Sequence, residues 1–460
     1  MNIKLAVASA VVFAAGTLLL AGNASAQWGS AVQVSGAVEP SFNGQYLGSV
    51  STARCGNNVL VGFGDSESGN NHSFAGYAVS SDGGGTFADK GVLPADLTDN
   101  FGFGAQTLRS GPVACANSST FYYAVALTEG NVPQLCPAEG TCSSVSVSIS
   151  NNGGQDWGLP VVVARRNIDN HQLLSPSIAV NPATPKRMFV AYLDQNGSPV
   201  DSDFVFPDCG GNTITEVKIA GSADGGKTWT MPVTVDYACE ISSNPERQGV
   251  GFGPPNVLVS PGGKVYLTYE FQAYTGSPSE IRFTRSLDQA ATFTTPIVVS
   301  NDAVFNAFPQ LAVDRTSTSY RGAIYLTWSG MPRGTSTEVL MSDSLNQGVS
   351  FSFPRSVRAT SQGTQINPVV AVDNDGQVAN CYYVTATNTP TSSSNYFYNC
   401  LTSFNHAATW AGYQKLAPSA PPGFDALTSD FLLRNDGFFT AFEVTSGGQR
   451  HVVGEKSDSD

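Results

Sequence analysis

The stretch "SADGGKTWTMPVTV" at residues 222–235 decides the fold, because a close relative, "SLDQAATFTTPIVV", recurs at 286–299. In the first copy a Ser, an Asp and two Gly form a turn signal, an aromatic residue follows, and a Pro then opens an apolar alternation. This order is typical of the end of one strand, a tight corner and the start of the next strand. A recurring corner indicates a repeat architecture, and the repeat then sets the domain count.

The corner, aligned on Ser-x-Asp-x-Gly-x-Thr-Trp, occurs six times in the chain. Its starts are separated by 70, 72, 64, 58 and 59 residues. The eighth position is always Phe or Trp, and the third is always an Asp or Asn, a short oxygen acceptor that hydrogen-bonds turn amides. We therefore predict a structural role for the third-position residues Asp82, Asn152, Asp224, Asp288, Asn346 and Asn405.

Each corner follows two strand-like runs, such as "PNVLVS" and "KVYLTYEF" at 255–260 and 264–271. A unit of four strands in roughly 60 residues is typical of a propeller blade. The second kind of run occurs seven times, one more than the corners, and the N-terminal "QWGSAVQVS" at 27–35 matches the second half of a corner. The prediction is an all-β, seven-bladed β-propeller of four-stranded antiparallel blades whose last blade is closed by the N-terminal strand. A six-bladed propeller is the alternative.

The six corners resemble the Asp-box (BNR) repeat of the sialidase-like propellers, over essentially all of residues 27–460. The resemblance implies the blade architecture but no single activity, because the box occurs in sialidases, other glycanases, sorting receptors and assembly factors. The sialidase catalytic set is not matched. Where that family has Arg-Ile-Pro, this chain has Leu47, Gly48 and Ser49. Where the family has the Asp that serves as the catalytic acid, this chain has Asn71 and His72. The sequence thus disfavours a true exo-sialidase.

Residues 1–26 have the pattern of a secretory signal peptide, with Lys4, an apolar core and "ASA" at 24–26, so Gln27 is the expected mature start. We expect one propeller domain over 27–460 and a secreted protein, extracellular or periplasmic. No later stretch approaches the ~18 apolar residues of a membrane span. Without Lys4 the chain has 22 basic and 36 acidic residues, a net charge of −14, which disfavours nucleic acid as a partner.

Eight cysteines in an exported chain predict disulfides. Blade topology brings them together as four pairs, and a zinc site, the alternative, lacks a cluster of His ligands. The predicted pairs are Cys55 with Cys115, Cys136 with Cys142, Cys209 with Cys239, and Cys381 with Cys400.

Blade topology also separates two faces of the molecule. The corners and the first hairpin turns share one face, here called the corner face. The opposite face, called the loop face, carries the connections between blades and the loops between second and third strands, around the axial funnel. Propeller ligands generally bind on the loop face, where the long loops are.

Charged residues of the loop face form the candidate site. The segments "ARRNIDNH" (164–171) and "NPERQG" (244–249) bring acid–base groups and arginines to the connections between blades. A glycan-cleaving enzyme needs two such groups beside a sugar, and arginine binds an acidic sugar through two hydrogen bonds. Our candidates are Asp169, His171 and Glu246 for catalysis, and Arg166, Arg247, Glu270, Tyr274 and His72 for substrate binding. The alternative is a loop ion-pair network, with Asp169 paired to Arg165 and Glu246 to Arg247.

The function predicted from these residues is a carbohydrate-active propeller, a glycoside hydrolase or polysaccharide lyase acting in the funnel on an unidentified glycan, for which an acidic glycan is one candidate. The alternative is a non-catalytic propeller that binds a glycan or protein ligand there. We expect a monomer and no cofactor. Calcium is a candidate ion for the loop after 194, because Asp194, Asn196 and Ser198 have the first spacings of a calcium loop; Pro199 and Val205 depart from that pattern.

Overall fold

The computed structural model describes residues 27–36, 50–65, 74–93, 105–106, 113–130, 142–167, 171–196, 209, 214–240, 242–249, 251–272, 278–304, 307–315, 320–332, 336–358, 363–388, 394, 396–419, 429–434, 437–446 and 449–458. Within these ranges the chain is almost entirely antiparallel β-structure, arranged in six hydrogen-bonded sheets. The predicted signal peptide lies outside the described residues.

The strands follow chain order from sheet to sheet. Two short strands come first: β1 (Gln27–Trp28) and β2 (Val32–Gln33). Sheet 1 contains β3 (Ser51–Cys55), β4 (Asn58–Asp65), β5 (Phe74–Ser80) and β6 (Ala88–Val92). Sheet 2 contains β7 (Ala105–Gln106), β8 (Val113–Cys115), β9 (Phe121–Gly130), β10 (Cys142–Ser150) and β11 (Val161–Asn167). Sheet 3 contains β12 (His171–Val180), β13 (Met188–Asn196), β14 (Ile214–Ser222) and β15 (Val233–Cys239).

Sheet 4 has nine strands in two halves, joined by the single pair Ala303 and Gly330. Its first half contains β16 (Gly251–Phe252), β17 (Asn256–Val259), β18 (Val265–Gln272), β19 (Ser279–Ser286) and β20 (Ile297–Ala303). Its second half contains β21 (Gln310–Val313), β22 (Ile324–Gly330), β23 (Glu338–Ser344) and β24 (Arg355–Ser356).

The last two sheets complete the chain. Sheet 5 contains β25 (Gln365–Val372), β26 (Val378–Thr385), β27 (Tyr396–Ser403) and β28 (Ala411–Ser419). Sheet 6 contains β29 (Ser429–Arg434), β30 (Gly437–Ser446) and β31 (Gln449–Asp458), with β1 and β2 both paired to β31.

The innermost strand of each sheet or half-sheet contacts the innermost strand of the next. The contacts run from β3 through β8, β12, β17, β21 and β25 to β29, and β29 contacts β3 again. Clusters of buried apolar side chains fill the seams between these successive units. The arrangement is consistent with a β-propeller.

Side-chain oxygens also bridge neighbouring units near the inner strands. Ser143 Oγ accepts the Leu173 N–H at 2.8 Å, and Ser177 Oγ accepts the Val257 N–H at 3.2 Å. Asn256 Oδ1 does the same for the Leu311 N–H at 3.1 Å. Because an inner strand has no β-partner on its inner edge, these oxygens satisfy amides that the sheets leave unpaired.

All six predicted corners have one hydrogen-bond pattern. The first-position Ser hydroxyl accepts the amide of the fifth position at 2.8–2.9 Å. The third-position Asp or Asn accepts the amide of the seventh position at 2.8–3.0 Å. The aromatic at the eighth position packs on the apolar cluster of a seam, as Trp157 and Phe351 do. The corners therefore link the backbone turn to the core.

The fourth and fifth positions of every corner are in the left-handed region of backbone space. Three corners have Gly-Gly there, whereas the others place Gln289, Gln347 and His406 at the fourth position with φ of 67°, 59° and 58°. Side chains in this region cost about 1 kcal/mol. Two of them gain contacts in return: Gln347 bonds to Lys264, and His406 stacks on Tyr320 at 3.4 Å between ring centroids.

The N-terminal strand joins the last sheet, as the sequence predicts. Gln27 pairs with Asp458 and Trp28 with Ser457, and Val32 pairs with Gly454. Trp28 is 3% exposed and packs in the seam between sheets 5 and 6. It therefore occupies the place that the eighth-position aromatic takes in the six corners.

We expect Asp224→Ala to lower the melting temperature by a few degrees, because it frees the amides of Lys227 and Thr228. Asp224→Asn is the matched control and should stay near wild type, since Asn serves this position in three sister corners. Hydrogen bonds from Thr228 lower the pKa of Asp224 to about 2. Its contribution to stability is thus present above about pH 4 and is lost as the pH falls toward 2. Thermal melts of both variants against pH measure this, and equal acid sensitivity of Asp224→Ala and wild type would contradict it.

Deletion of residues 27–35 should damage folding out of proportion to its length, because it uncovers the edge of β31. As a point variant, Trp28→Ala should destabilise by about 3–5 kcal/mol, the usual cost of emptying a buried aromatic site. Trp28→Phe, which keeps an apolar ring in the seam, should lose clearly less. Urea denaturation measures all three proteins, and an unchanged midpoint for the deletion would show that the strand is dispensable.

Candidate functional site

Buried charged side chains concentrate near the strand ends of the loop face. Most of those described lie within four residues of such an end: Asp194, Glu216, Lys218, Asp236, Glu270, Arg282, Glu338 and Glu443. Burying charge is costly unless the groups are paired, so each position requires a partner. In sheets 3 and 4 the charges form two networks.

The first network, called the Asp194 network, lies at the loop-face end of sheets 2 and 3. Arg166 Nε is 3.2 Å and Lys218 Nζ is 3.4 Å from Asp194 Oδ2. Lys218 Nζ is also 3.1 Å from Glu216 Oε2, whose other oxygen accepts the Thr234 hydroxyl at 2.7 Å. Burial and the nearby carboxylates raise the pKa of Tyr192 well above its usual value. Among the charged side chains described in this network, Arg166 alone reaches solvent appreciably, with 30% of its side chain exposed.

The second network, called the Asp236 network, lies between sheet 3 and the first half of sheet 4. Asp236 Oδ2 accepts the Tyr269 hydroxyl at 3.0 Å and Arg282 Nη1 at 3.1 Å, while Asp236 Oδ1 contacts Arg247. Arg282 also pairs with Glu280 at 2.9 Å. Burial raises the pKa of Tyr269, so it stays a neutral hydrogen-bond donor to the carboxylate.

Aromatic faces complete the Asp236 network. The Arg282 guanidinium carbon lies 3.7 Å from the ring centroid of Phe271, and that of Arg247 lies 4.5 Å from the ring of Tyr237. Such stacking fixes the plane of a guanidinium in addition to its ion pair. Arg247 keeps 24% of its side chain exposed, whereas Asp236 is fully buried.

The connection after β15 is held rigidly above the Asp236 network. The disulfide Cys209–Cys239 anchors its start, and Asn244 caps the short 3-10 turn Pro245–Arg247 by accepting the Glu246 N–H at 3.0 Å. Arg282 Nη2 donates to the Glu246 carbonyl at 3.0 Å. The Glu246 carboxylate therefore projects into solvent from a fixed backbone.

The structure places the sequence-predicted residues in several different environments. Arg166 and Arg247 lie on the same face but in separate networks, each bound to its own buried carboxylate. Arg247 pairs with Asp236, so the alternative ion pair with Glu246 is not the arrangement that forms. Glu270 is fully buried and accepts the Ala307 N–H at 2.8 Å, which places it between the halves of sheet 4.

Other predicted residues are not all described. Asp169, Tyr274 and His72 lie outside the described residues, and His171 begins β12, with its backbone paired to Asn196. Sequence reasoning missed Asp236, Glu216, Lys218, Glu280 and Arg282. The available signal was a charged residue inside an otherwise apolar strand run, as in "VTVDYAC" at 233–239.

Three of the four predicted disulfides form: Cys55–Cys115, Cys209–Cys239 and Cys381–Cys400. Cys142 is also disulfide-bonded, and its predicted partner Cys136 lies outside the described residues. These cross-links join loops and strands that the repeat places side by side.

The candidate calcium loop begins in the Asp194 network. Asp194 is bound to two cationic side chains, and residues 197–208 of that loop lie outside the described residues. Over the described part of the chain, no three His, Cys, Asp or Glu side chains are grouped as a metal ion would require. Likewise, none of its helices has the length and apolar character needed to cross a bilayer.

Several solved structures are similar to this chain in fold. A protein of unknown function from Dyadobacter fermentans has a TM-score of 0.49 and 11% identity over 92% of this chain and 98% of its own. An α-L-arabinanase from Penicillium chrysogenum has a TM-score of 0.47 and 13% identity, over 94% of this chain and 98% of its own. A mutant Trypanosoma rangeli sialidase with trans-sialidase activity has a TM-score of 0.44 and 9% identity, over 92% of this chain and 57% of its own. No protein-family model matches the sequence, and no curated protein matches it. Likenesses of this degree assign no activity to this chain.

Asp236→Asn should destabilise the protein by about 3–5 kcal/mol, because it leaves two guanidinium groups without their buried carboxylate. Glu280→Gln is the matched control: it removes the other, 31% exposed partner of Arg282 and should cost about 1 kcal/mol or less. Urea unfolding of the two variants measures the difference. Equal losses would mean that the buried carboxylate does not organise the network.

Proposed function

We propose that this protein is an exported, carbohydrate-active β-propeller of seven blades that acts at its loop face on an acidic glycan. The blade count treats each half of sheet 4 as a blade. It is supported by the closed sequence of inner-strand contacts and by the apolar clusters in successive seams. The disulfides and the signal-peptide pattern of residues 1–26 support export. In this proposal the protein acts as a monomer and needs no cofactor.

The observation that carries the proposal is the pair of charge networks on the loop face. In each network buried groups hold one partly exposed arginine, Arg166 or Arg247, in a fixed orientation. A guanidinium fixed in this way is well suited to bind a sugar carboxylate by charge-assisted hydrogen bonds. Ion pairs meant only for solubility would not need carboxylates as deeply buried as Asp194 and Asp236.

Proton transfer would fall to the groups beside these arginines. Glu246 projects from the rigid connection one residue before Arg247, and His171 and Asp169 follow Arg166 along the chain. A hydrolase would use two of these as acid and base on opposite sides of a glycosidic bond. A lyase would use His171 as the base, with an arginine neutralising the uronate carboxylate.

A non-catalytic binding propeller is the second candidate, and the pairing of the charges favours it. Arg166 and Lys218 are paired with carboxylates in the Asp194 network, and Arg247 and Arg282 are paired with carboxylates in the Asp236 network. Arginines held in ion pairs can present hydrogen-bond donors to a ligand without acting as an acid or base.

A panel of neutral and uronate-containing polysaccharides tests both candidates, read for new reducing ends and for unsaturated uronate absorbance. We expect cleavage of a uronate-containing polymer by the wild-type protein and at least about a hundredfold loss in Glu246→Gln. Glu240→Gln is the matched control, because Glu240 is an exposed carboxylate of the same connection.

Binding and catalysis are distinguished on the same panel. Binding of a polymer without its cleavage would favour the binding propeller, provided that Arg166→Ala and Arg247→Ala weaken this binding. Full activity or binding in both arginine variants and in Glu246→Gln would leave only a structural role for the networks.

A further inference from the structure

The corners of sheets 3, 4 and 5 carry large apolar side chains that the fold leaves in solvent. Met231 and Phe353 are 88% and 90% exposed, and Leu287 and Leu345 are each 63% exposed. Val349 and Phe404 in the same corners are also exposed. Single exposed apolar residues are ordinary, but several on one face of a protein mark an interaction surface.

The repeat places these side chains on the corner face. Leu287, Leu345 and Phe404 are the second residues of three successive corners, and Met231 and Phe353 are tenth residues. Equivalent positions in successive corners project from the same face, one from each unit. Because these apolar groups are spread over a face, they are better placed to contact an extended apolar surface than a ligand that binds in one compact groove.

The same face of sheets 3 to 5 is basic, in contrast to the chain as a whole, whose net charge is −13. Its turns, corners and adjoining strand ends contain eight basic residues: Lys186, Arg187, Lys227, Lys264, Arg285, Arg315, Arg321 and Arg355. The acidic residues there that are not buried are Asp224, Asp288, Asp343 and Asp375.

Three of these acids have local partners, although Asp224 and Asp288 keep their negative charge. Asp224 and Asp288 accept turn amides and a Thr hydroxyl, and Asp343 pairs with Arg355 at 2.7 Å. The buried Asp314 and Asp373 leave the balance positive even when they are counted, with eight basic against six acidic residues. This face therefore attracts anions, although the whole chain repels them.

We propose that the corner face of sheets 3 to 5 is a peripheral docking surface for an anionic lipid bilayer. The exposed Leu, Phe and Met side chains enter the interface between headgroups and acyl chains, while Lys227 and Arg321, both exposed, lie against the headgroups. Glu246 and Arg247 lie on the opposite face and stay accessible when the protein is bound. This inference does not depend on the proposed activity.

Flotation of the full mature protein with vesicles tests the proposal. We expect binding to vesicles of phosphatidylcholine with phosphatidylglycerol, weaker binding to phosphatidylcholine alone, and weakening by salt. The variant Leu287→Ser/Leu345→Ser/Phe353→Ser should bind at least about tenfold more weakly, because it removes the inserted apolar groups. All three residues are exposed, so its melting temperature should match wild type.

Matched variants separate the two contributions. Met231→Ser should weaken binding, whereas Met331→Ser, which changes an exposed Met of the loop face, should not. Lys227→Gln/Arg321→Gln should weaken binding to phosphatidylglycerol vesicles and reduce its salt dependence.

Three outcomes would overturn the proposal. One is the absence of binding to the anionic vesicles, and another is equal binding by the triple Ser variant. The third is a lipid-free dimer, seen by light scattering, that the triple Ser variant abolishes, because the face would then be an interface between two copies of the chain.

Discussion

One hydrogen bond recurs where each of six sheet units turns into its outer strand: a serine hydroxyl accepts the amide four residues further along. It closes a turn in which two consecutive residues have left-handed backbone angles. This conformation is unfavourable for every residue other than glycine. Once the turn is closed, the Asp or Asn two residues after the serine satisfies the amides beyond it. The turn then places the aromatic residue that follows in the apolar seam between its own unit and a neighbouring unit. Local turn geometry and packing between sheets are thus one constraint.

The same constraint explains the unequal treatment of the two faces. On the corner face, six units end in the same closed turn, so the backbone there is nearly the same from one of these units to the next. On the loop face, the protein buries paired charges such as Asp194 and Asp236 near the strand ends. Paired charges in a seam restrict the orientation of their side chains more than apolar contacts do, because each donor must face its acceptor. The ion pairs of the loop face therefore fix the orientation of the side chains that take part in them.

The sequence predicted the features that repeat or that join neighbours in the fold: the corners, the pairing of Gln27 and Trp28 with β31, and three disulfides. The candidate site was predicted only in part. Arg166 and Arg247 are on the expected face, but their partners are Asp194 and Asp236, each inside a strand of sheet 3. Which buried carboxylate meets which arginine depends on strand register and on the packing of one sheet against the next. A single sequence does not contain that information, whereas the turn chemistry of a corner is complete within eight residues.

The junction of β1 with β31 has a consequence for how the chain folds. Gln27 and Asp458 pair across 431 residues, which makes this among the longest-range contacts that the chain contains. Closing such a loop costs conformational entropy before it gains any contact, so long-range pairing of this kind is slow. During synthesis the first strand must wait, unpaired and with Trp28 uncovered, until the last sheet exists. Completion of the ring is therefore expected to be the late, rate-limiting event of folding, and the interval before it is when the chain is most exposed to aggregation.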